Sequence, residues 1–133
     1  MKRDMDLVRI ILLKIEEEEY ESTALIGLNI DGYDDNTVAY HCKIMEEAGL
    51  ISYYNAQYAD DELWIFAVGS LTWEGCDYLD KIRDDSVWSK TKETIVKKGL
   101  PLVFDTIKTV SSAFVTAAAE GVANAILKNG GQI

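Results

Sequence analysis

The apolar positions of this chain change their spacing several times, and each change marks an element. Met5, Val8, Ile11, Leu12 and Ile15 recur at intervals of three and four, which predicts a helix from Asp4 to about Glu19 with one buried stripe. Asp4 suits its N-cap and Asp6 the positive end of its dipole. The run Glu16-Glu17-Glu18-Glu19 reads as a solvated last turn. Residues 24–30 look extended and end in the turn signal Asp31-Gly32. A second helix follows, capped by Asp34 or Asp35 and reaching about Ala48, with Val38, Cys42 and Met45 facing inward. Gly49 fits the left-handed position that closes it.

Ile51 to Tyr58 and Leu63 to Val68 are two strand-like runs, joined by the acidic tip Ala59-Asp60-Asp61-Glu62. Thr72 caps a third helix, expected to bury Trp73, Cys76, Leu79 and Ile82. Asp84-Asp85-Ser86 recaps the chain, Val87 to Lys98 is helical, and Gly99-Leu100-Pro101 ends it. A last helical stretch covers Leu102 to Leu127, where Ile107, Val110, Phe114, Ala117 and Gly121 repeat at alternating three and four. Small residues flank that stripe and let another helix approach closely.

The order is helix, short strand, helix, hairpin, helix. It predicts a mainly α fold with a small β-hairpin: a winged helix-turn-helix-like domain over 1–84 and a helical extension over 85–133. The first helix of the helix-turn-helix pair is the weak point, because residues 21–33 contain Gly27 and Gly32 and read more as strand.

Charge changes this picture. The 133 residues carry a net charge of −10. Residues 1–70 hold 5 basic and 15 acidic side chains, while residues 71–133 hold 8 of each, so all the excess is in the first half. Nucleic acid binding leans on phosphate neutralisation by Lys and Arg, which this half lacks. On the second helix Asn36, Thr37, Tyr40 and His41 are placed outward or sideways, with Lys43 near the rim. These are the residues that would read DNA in a winged helix. Asp34, Asp35, Glu46 and Glu47 surround them, and the wing tip is acidic.

Thr37-Val38-Ala39-Tyr40-His41-Cys42-Lys43 through Glu47-Ala48-Gly49-Leu50-Ile51 resembles the recognition helix and first wing strand of bacterial winged-helix regulators. Met1-Lys2-Arg3-Asp4-Met5-Asp6-Leu7-Val8-Arg9, Leu71-Thr72-Trp73-Glu74-Gly75-Cys76-Asp77-Tyr78-Leu79-Asp80 and Ile82-Arg83-Asp84-Asp85-Ser86-Val87-Trp88 together are more specific. They resemble an uncharacterised bacterial and prophage family, domain of unknown function 2513, over about residues 1–100. That resemblance implies a winged-helix-like fold and a bacterial or phage source. It supplies no activity and no catalytic residues. The family usually carries His where Cys76 stands, which speaks against metal binding at that position.

Candidate chemistry is sparse. His41 is the only histidine, and it reads as a half-buried structural residue beside Cys42. Without a second His there is no typical zinc site, and Cys42 and Cys76 read as buried free thiols. Asp31 to Asn36 fails the spacing of a calcium loop, and Gly130-Gly131 lacks the Lys-Ser/Thr of a phosphate loop. No acid–base or nucleophile constellation is visible, so the expectation is no enzyme, no cofactor and no metal.

The hairpin is rich in aromatic residues. Tyr54 and Tyr58 should share one face of their strand, with Tyr53 on the other, while Trp64 and Phe66 share a face of the next. Exposed rings there would anchor a protein partner. The leading expectation is a non-enzymatic protein that works through protein–protein contacts, with a basic partner and homodimerisation through the last helix. A dimeric DNA-binding regulator is the alternative. An acidic decoy of a DNA-binding protein is the third. The first residues are not a signal peptide, and the eleven uncharged residues between Lys108 and Glu120 are too few to span a membrane. These features point to the cytoplasm.

Overall fold

In the computed structural model, residues 1–18 and 25–130 are described. The chain forms two compact units, Met1–Asp80 and Lys81–Ile133. The fold is mainly α with a small antiparallel sheet. Its elements are α1 (Met5–Glu18), β1 (Leu25–Ile26), α2 (Asp35–Glu47), β2 (Tyr54–Ala59), β3 (Glu62–Val68), α3 (Trp73–Ile82), α4 (Asp85–Lys97) and α5 (Phe104–Gly130). Glu19, Ala24 and Gly131, on which three of the sequence expectations fall, lie outside the described residues.

In the first unit α1 buries Met5, Val8, Ile11, Leu12 and Ile15, the stripe read from the sequence, and Leu7 as well. Asp4 caps it, its Oδ1 accepting the backbone N–H groups of Asp6 and Leu7 at 3.0 and 3.2 Å. The extended stretch over 24–30 contracts to Leu25–Ile26, because Gly27 turns away with φ +65°. β1 pairs with β3, Leu25 opposite Val68, and β3 pairs with β2. The sheet order is therefore β1-β3-β2, with β2 at the edge. Between Gly27 and α2 the backbone is irregular, so no helix lies between β1 and α2 to complete a helix-turn-helix pair.

The hairpin closes through two residues, Asp60 and Asp61, both with positive φ. That is the twist a tight two-residue turn requires, and aspartate tolerates it better than most residues. The register slips between Gln57 and Tyr58: Gln57 faces Ile65 and Tyr58 faces Leu63, which leaves Trp64 as a bulge. Strict alternation had placed Trp64 with Phe66. The bulge separates them, and Phe66 is buried while Trp64 is 71% exposed.

The third helix is also rotated from expectation. Its buried positions are Gly75, Tyr78, Leu79 and Ile82, while Trp73 (85% exposed) and Cys76 face solvent. The cause is a close backbone approach. A Cβ at Gly75 would overlap the Leu50 carbonyl oxygen and lie 3.0 Å from its carbon. Thr72 fastens the same junction. Its hydroxyl donates to the Gly49 carbonyl and accepts the Gly75 N–H, and its own N–H donates to the Leu50 carbonyl. Only a residue without a side chain lets the first turn of α3 sit this close to the end of α2.

In the second unit Asp84 caps α4 by accepting the Val87 N–H at 3.0 Å. Gly99, at φ +68°, closes it. α5 starts with the Thr106 hydroxyl accepting the Val103 N–H, half of a capping box. α4 and α5 pack on each other, and Trp88, Thr91, Ile95, Ile107 and Ser111 are buried.

Gly75→Ala should destabilise the protein by about 2–3 kcal/mol although alanine is the better helix former by about 1 kcal/mol. Urea unfolding measures this, and an unchanged midpoint would show that α3 does not need the contact.

Candidate functional site

Three surfaces carry the residues singled out in the sequence, and the first is the exposed face of α2. Asp34 caps this helix, its carboxylate accepting the Thr37 N–H at 2.7 Å. That bond holds the Asp34 carboxyl below its ordinary pKa. Val38, Cys42 and Met45 face inward as expected, and Asn36 and Lys43 face solvent with Thr37 and Tyr40 half-buried. Lys43 is the one cation of α2, against Asp35, Glu46 and Glu47.

His41 does not belong to that face: it is 1% exposed. Its Nε2 meets the Asp4 backbone N–H at 2.8 Å and its Nδ1 the Thr37 carbonyl at 2.8 Å. A backbone N–H can only donate and a carbonyl can only accept. His41 is therefore the neutral tautomer with its proton on Nδ1. Tyr33 adds a hydroxyl donated to Asp4 Oδ2 at 3.1 Å. The single histidine thus ties the start of α1 to the middle of α2, and no ring nitrogen remains to bind a base or a metal.

The hairpin is the second surface. Tyr54 lies half-buried against Phe66, ring centroids 6.4 Å apart. Burial, and then the neighbouring Tyr58 phenol, push the Tyr54 hydroxyl up to about 12. Tyr54 and Tyr58 therefore share a face, as alternation requires. Tyr53, Tyr58 (63% exposed), Trp64 and Ile65 remain open to solvent, and Asp60, Asp61 and Glu62 at the hairpin tip are exposed as well. Phe66 belongs to the core and cannot serve as a partner anchor. A cleft of about 340 Å³ runs between Gly27-Leu28-Asn29 and the Leu63–Phe66 segment, with Asp35 the ionisable side chain on its wall. One carboxylate without a second acid, base or nucleophile on that wall gives no acid–base pair.

The third surface is the far half of α5. α4 has 13 residues and α5 has 27, so at a rise of about 1.5 Å per residue α4 covers only half of its neighbour. Ile107 is wholly buried, and Val110 and Phe114 are half-buried in their own unit. Of the five residues expected on an oligomer stripe, Ala117 and Gly121 alone are exposed. The apolar stripe left open is a different one, Val115, Ala119, Val122 and Ile126; Leu127 is exposed too, on the side of Glu120. Glu120 and Lys128 point to the opposite side of the helix. Phe104–Asn129 is long and apolar enough, by length and composition, to cross a membrane, and 6% of its most apolar window is buried. The apolar length exceeds the eleven residues between Lys108 and Glu120, because the helix continues past Glu120 with little further charge.

Cys42 is buried and its thiol is pushed up to about 12 by desolvation. Cys76, expected to be buried, is exposed. Among the described residues no group of three or more His, Cys, Asp and Glu side chains is placed to hold a metal ion.

The family model described as "Hypothetical protein (DUF2513)" matches residues 2–101, and the chain belongs to this family. An uncharacterised protein of Haemophilus influenzae is 40% identical over 116 residues, 87% of this chain and 97% of that protein. No solved structure matches the chain. The family match covers both halves of the Leu50–Gly75 junction and ends near Pro101, before α5.

Two measurements check the buried groups. His41→Leu should cost about 2 kcal/mol, since it strands the Asp4 N–H without an acceptor. A loss under about 0.5 kcal/mol would show the bond to be dispensable. An aromatic disulfide reagent at neutral pH should titrate Cys76 in the native protein and Cys42 only after denaturation. Equal rates for both thiols would contradict the burial of Cys42.

Proposed function

We propose that this chain is a non-enzymatic winged-helix protein that acts through protein contacts and assembles as a homodimer through the far half of α5. The observation that carries the reading is the hairpin: a bulge turns Trp64 outward, Tyr58 stays open to solvent, and the tip of the same hairpin carries three carboxylates. Large aromatics open to solvent are the anchors protein interfaces use, and an acidic rim steers a basic partner. The element order and the three-stranded sheet β1-β3-β2 support the winged-helix assignment, with α2 in the place of a recognition helix. The first helix of the usual pair is absent among the described residues, and Lys43 stands among carboxylates. Both features favour protein over DNA as the ligand.

The dimer reading rests on the uncovered stripe of α5. In a membrane its six large apolar residues between Val110 and Leu127 contribute roughly −0.5 kcal/mol each. Insertion of the charged Glu120 near the centre offsets nearly all of that. A cationic face for anionic lipid is missing as well. Packing Val115, Ala119, Val122 and Ile126 against a second copy leaves Glu120 in water, so a soluble, cytoplasmic dimer fits better.

Sedimentation of the full chain near 10 micromolar, on the order of a typical weak-dimer concentration, should show a dimer, and Val122→Glu or Ile126→Glu a monomer with an unchanged melting temperature. Anisotropy of labelled duplex DNA should stay flat even at low salt. Salt-sensitive DNA binding at micromolar protein would replace this reading by that of a dimeric regulator. Co-sedimentation of the wild type, but not of Val122→Glu, with phosphatidylcholine vesicles would overturn the dimer helix.

A further inference from the structure

The sheet ends on β2, and nothing in its sequence protects that edge. Gly27 N–H donates to the Phe66 carbonyl, so Phe66 faces β1. Alternation then turns Ala67 and Ile65 toward β2, where they pair with Asn55 and Gln57. Tyr54, Ala56 and Tyr58 are left with their backbone N–H and C=O groups pointing away from the sheet. Natural edge strands are usually blunted by Lys, Pro or an inward charge. Tyr54-Asn55-Ala56-Gln57-Tyr58-Ala59 has none of these, and the bulge of the hairpin puts its extra residue, Trp64, in β3 and not in the edge strand.

The charge around this edge selects what can cover it. From Ser52 to Val68, the hairpin itself, the chain has three carboxylates and no Lys or Arg. Asp60, Asp61 and Glu62 stand at the end of β2 itself. A second copy would bring the same negative field to the edge, whereas a basic strand would relieve it. We propose that β2 is a docking edge for an extended, basic segment of a partner protein, added as a fourth strand. The backbone groups of Tyr54, Ala56 and Tyr58 bind the segment. The hairpin tip takes its Lys or Arg residues, and the exposed Tyr58 ring packs on its side chains. The inference rests on the protein-contact reading above and specifies the mode and chemistry of that contact.

The probe is the peptide acetyl-Lys-Thr-Val-Thr-Val-Thr-Lys-amide, added to the full chain and followed by amide hydrogen exchange. Saturating peptide should slow exchange at Tyr54, Ala56 and Tyr58 by about tenfold or more, with Asn55 and Gln57 little changed because they already bond to β3. The same peptide with Glu for both Lys, or with N-methyl groups at alternate residues, should give no protection. Ala56→Pro should abolish binding and leave the melting temperature near that of the wild type, because the Ala56 N–H serves no ladder bond. If that variant does not fold, the N-methylated peptide on the wild type decides alone. Equal binding of the N-methylated or Glu peptide, or protection elsewhere than at the three amides, overturns the proposal. Self-association of the wild type that Ala56→Pro abolishes also overturns it, since the occupant is then a second copy. Binding of duplex DNA would sink the protein-contact reading. Unprotected amides without DNA binding sink the edge alone.

Discussion

The first unit is organised around one backbone contact. α3 begins against the carbonyl of Leu50, at a distance only Gly75 permits, with Thr72 bridging to Gly49 and Leu50. That contact sets the rotation of α3. It sends Tyr78 and Leu79 inward and leaves Trp73 and Cys76 in water. It also lies beside the Ile51–Leu71 bridge and the Ser52–Ser70 bond from which the hairpin extends. The direction of the hairpin therefore follows from the same junction. The residues on both sides of it lie within the span matched by the family.

A second tie acts at the middle of α2. His41 accepts from Asp4 and donates to Thr37, and Tyr33 reaches the Asp4 carboxylate. A histidine in a candidate recognition helix invites a functional reading. Both of its nitrogens are taken by the backbone, and its role is to hold α1 against α2. With His41 removed from the exposed face, α2 offers Asn36, Thr37, Tyr40 and a single Lys43, a poor surface for a polyanion. The chemistry left open to solvent is concentrated on the hairpin and, in the second unit, on the far half of α5. One is acidic and aromatic, the other apolar and nearly uncharged. Surfaces so different in character suit different kinds of contact: a steered heterologous one on the sheet, and a helix pairing on α5.

The amino-acid pattern by itself determined the elements and the sign of the surface. The stripe of α1, the caps Asp4, Asp34 and Asp84, the terminating Gly49 and Gly99 and the acidic tip are local features, settled by periodicity and by hydrogen bonds within one turn of the chain. Tertiary structure decided what spacing cannot encode. Whether Trp64 shares a face with Phe66 depends on a bulge, which is a property of two paired strands. Which side of α3 is buried depends on the Leu50 carbonyl, remote in sequence. The placing of His41 depends on the Asp4 N–H, 37 residues away. Which stripe of α5 stays open depends on how far α4 reaches along it, a matter of two lengths compared in space. Periodicity shows that a face is apolar; only the neighbour in the fold decides whether that face is covered.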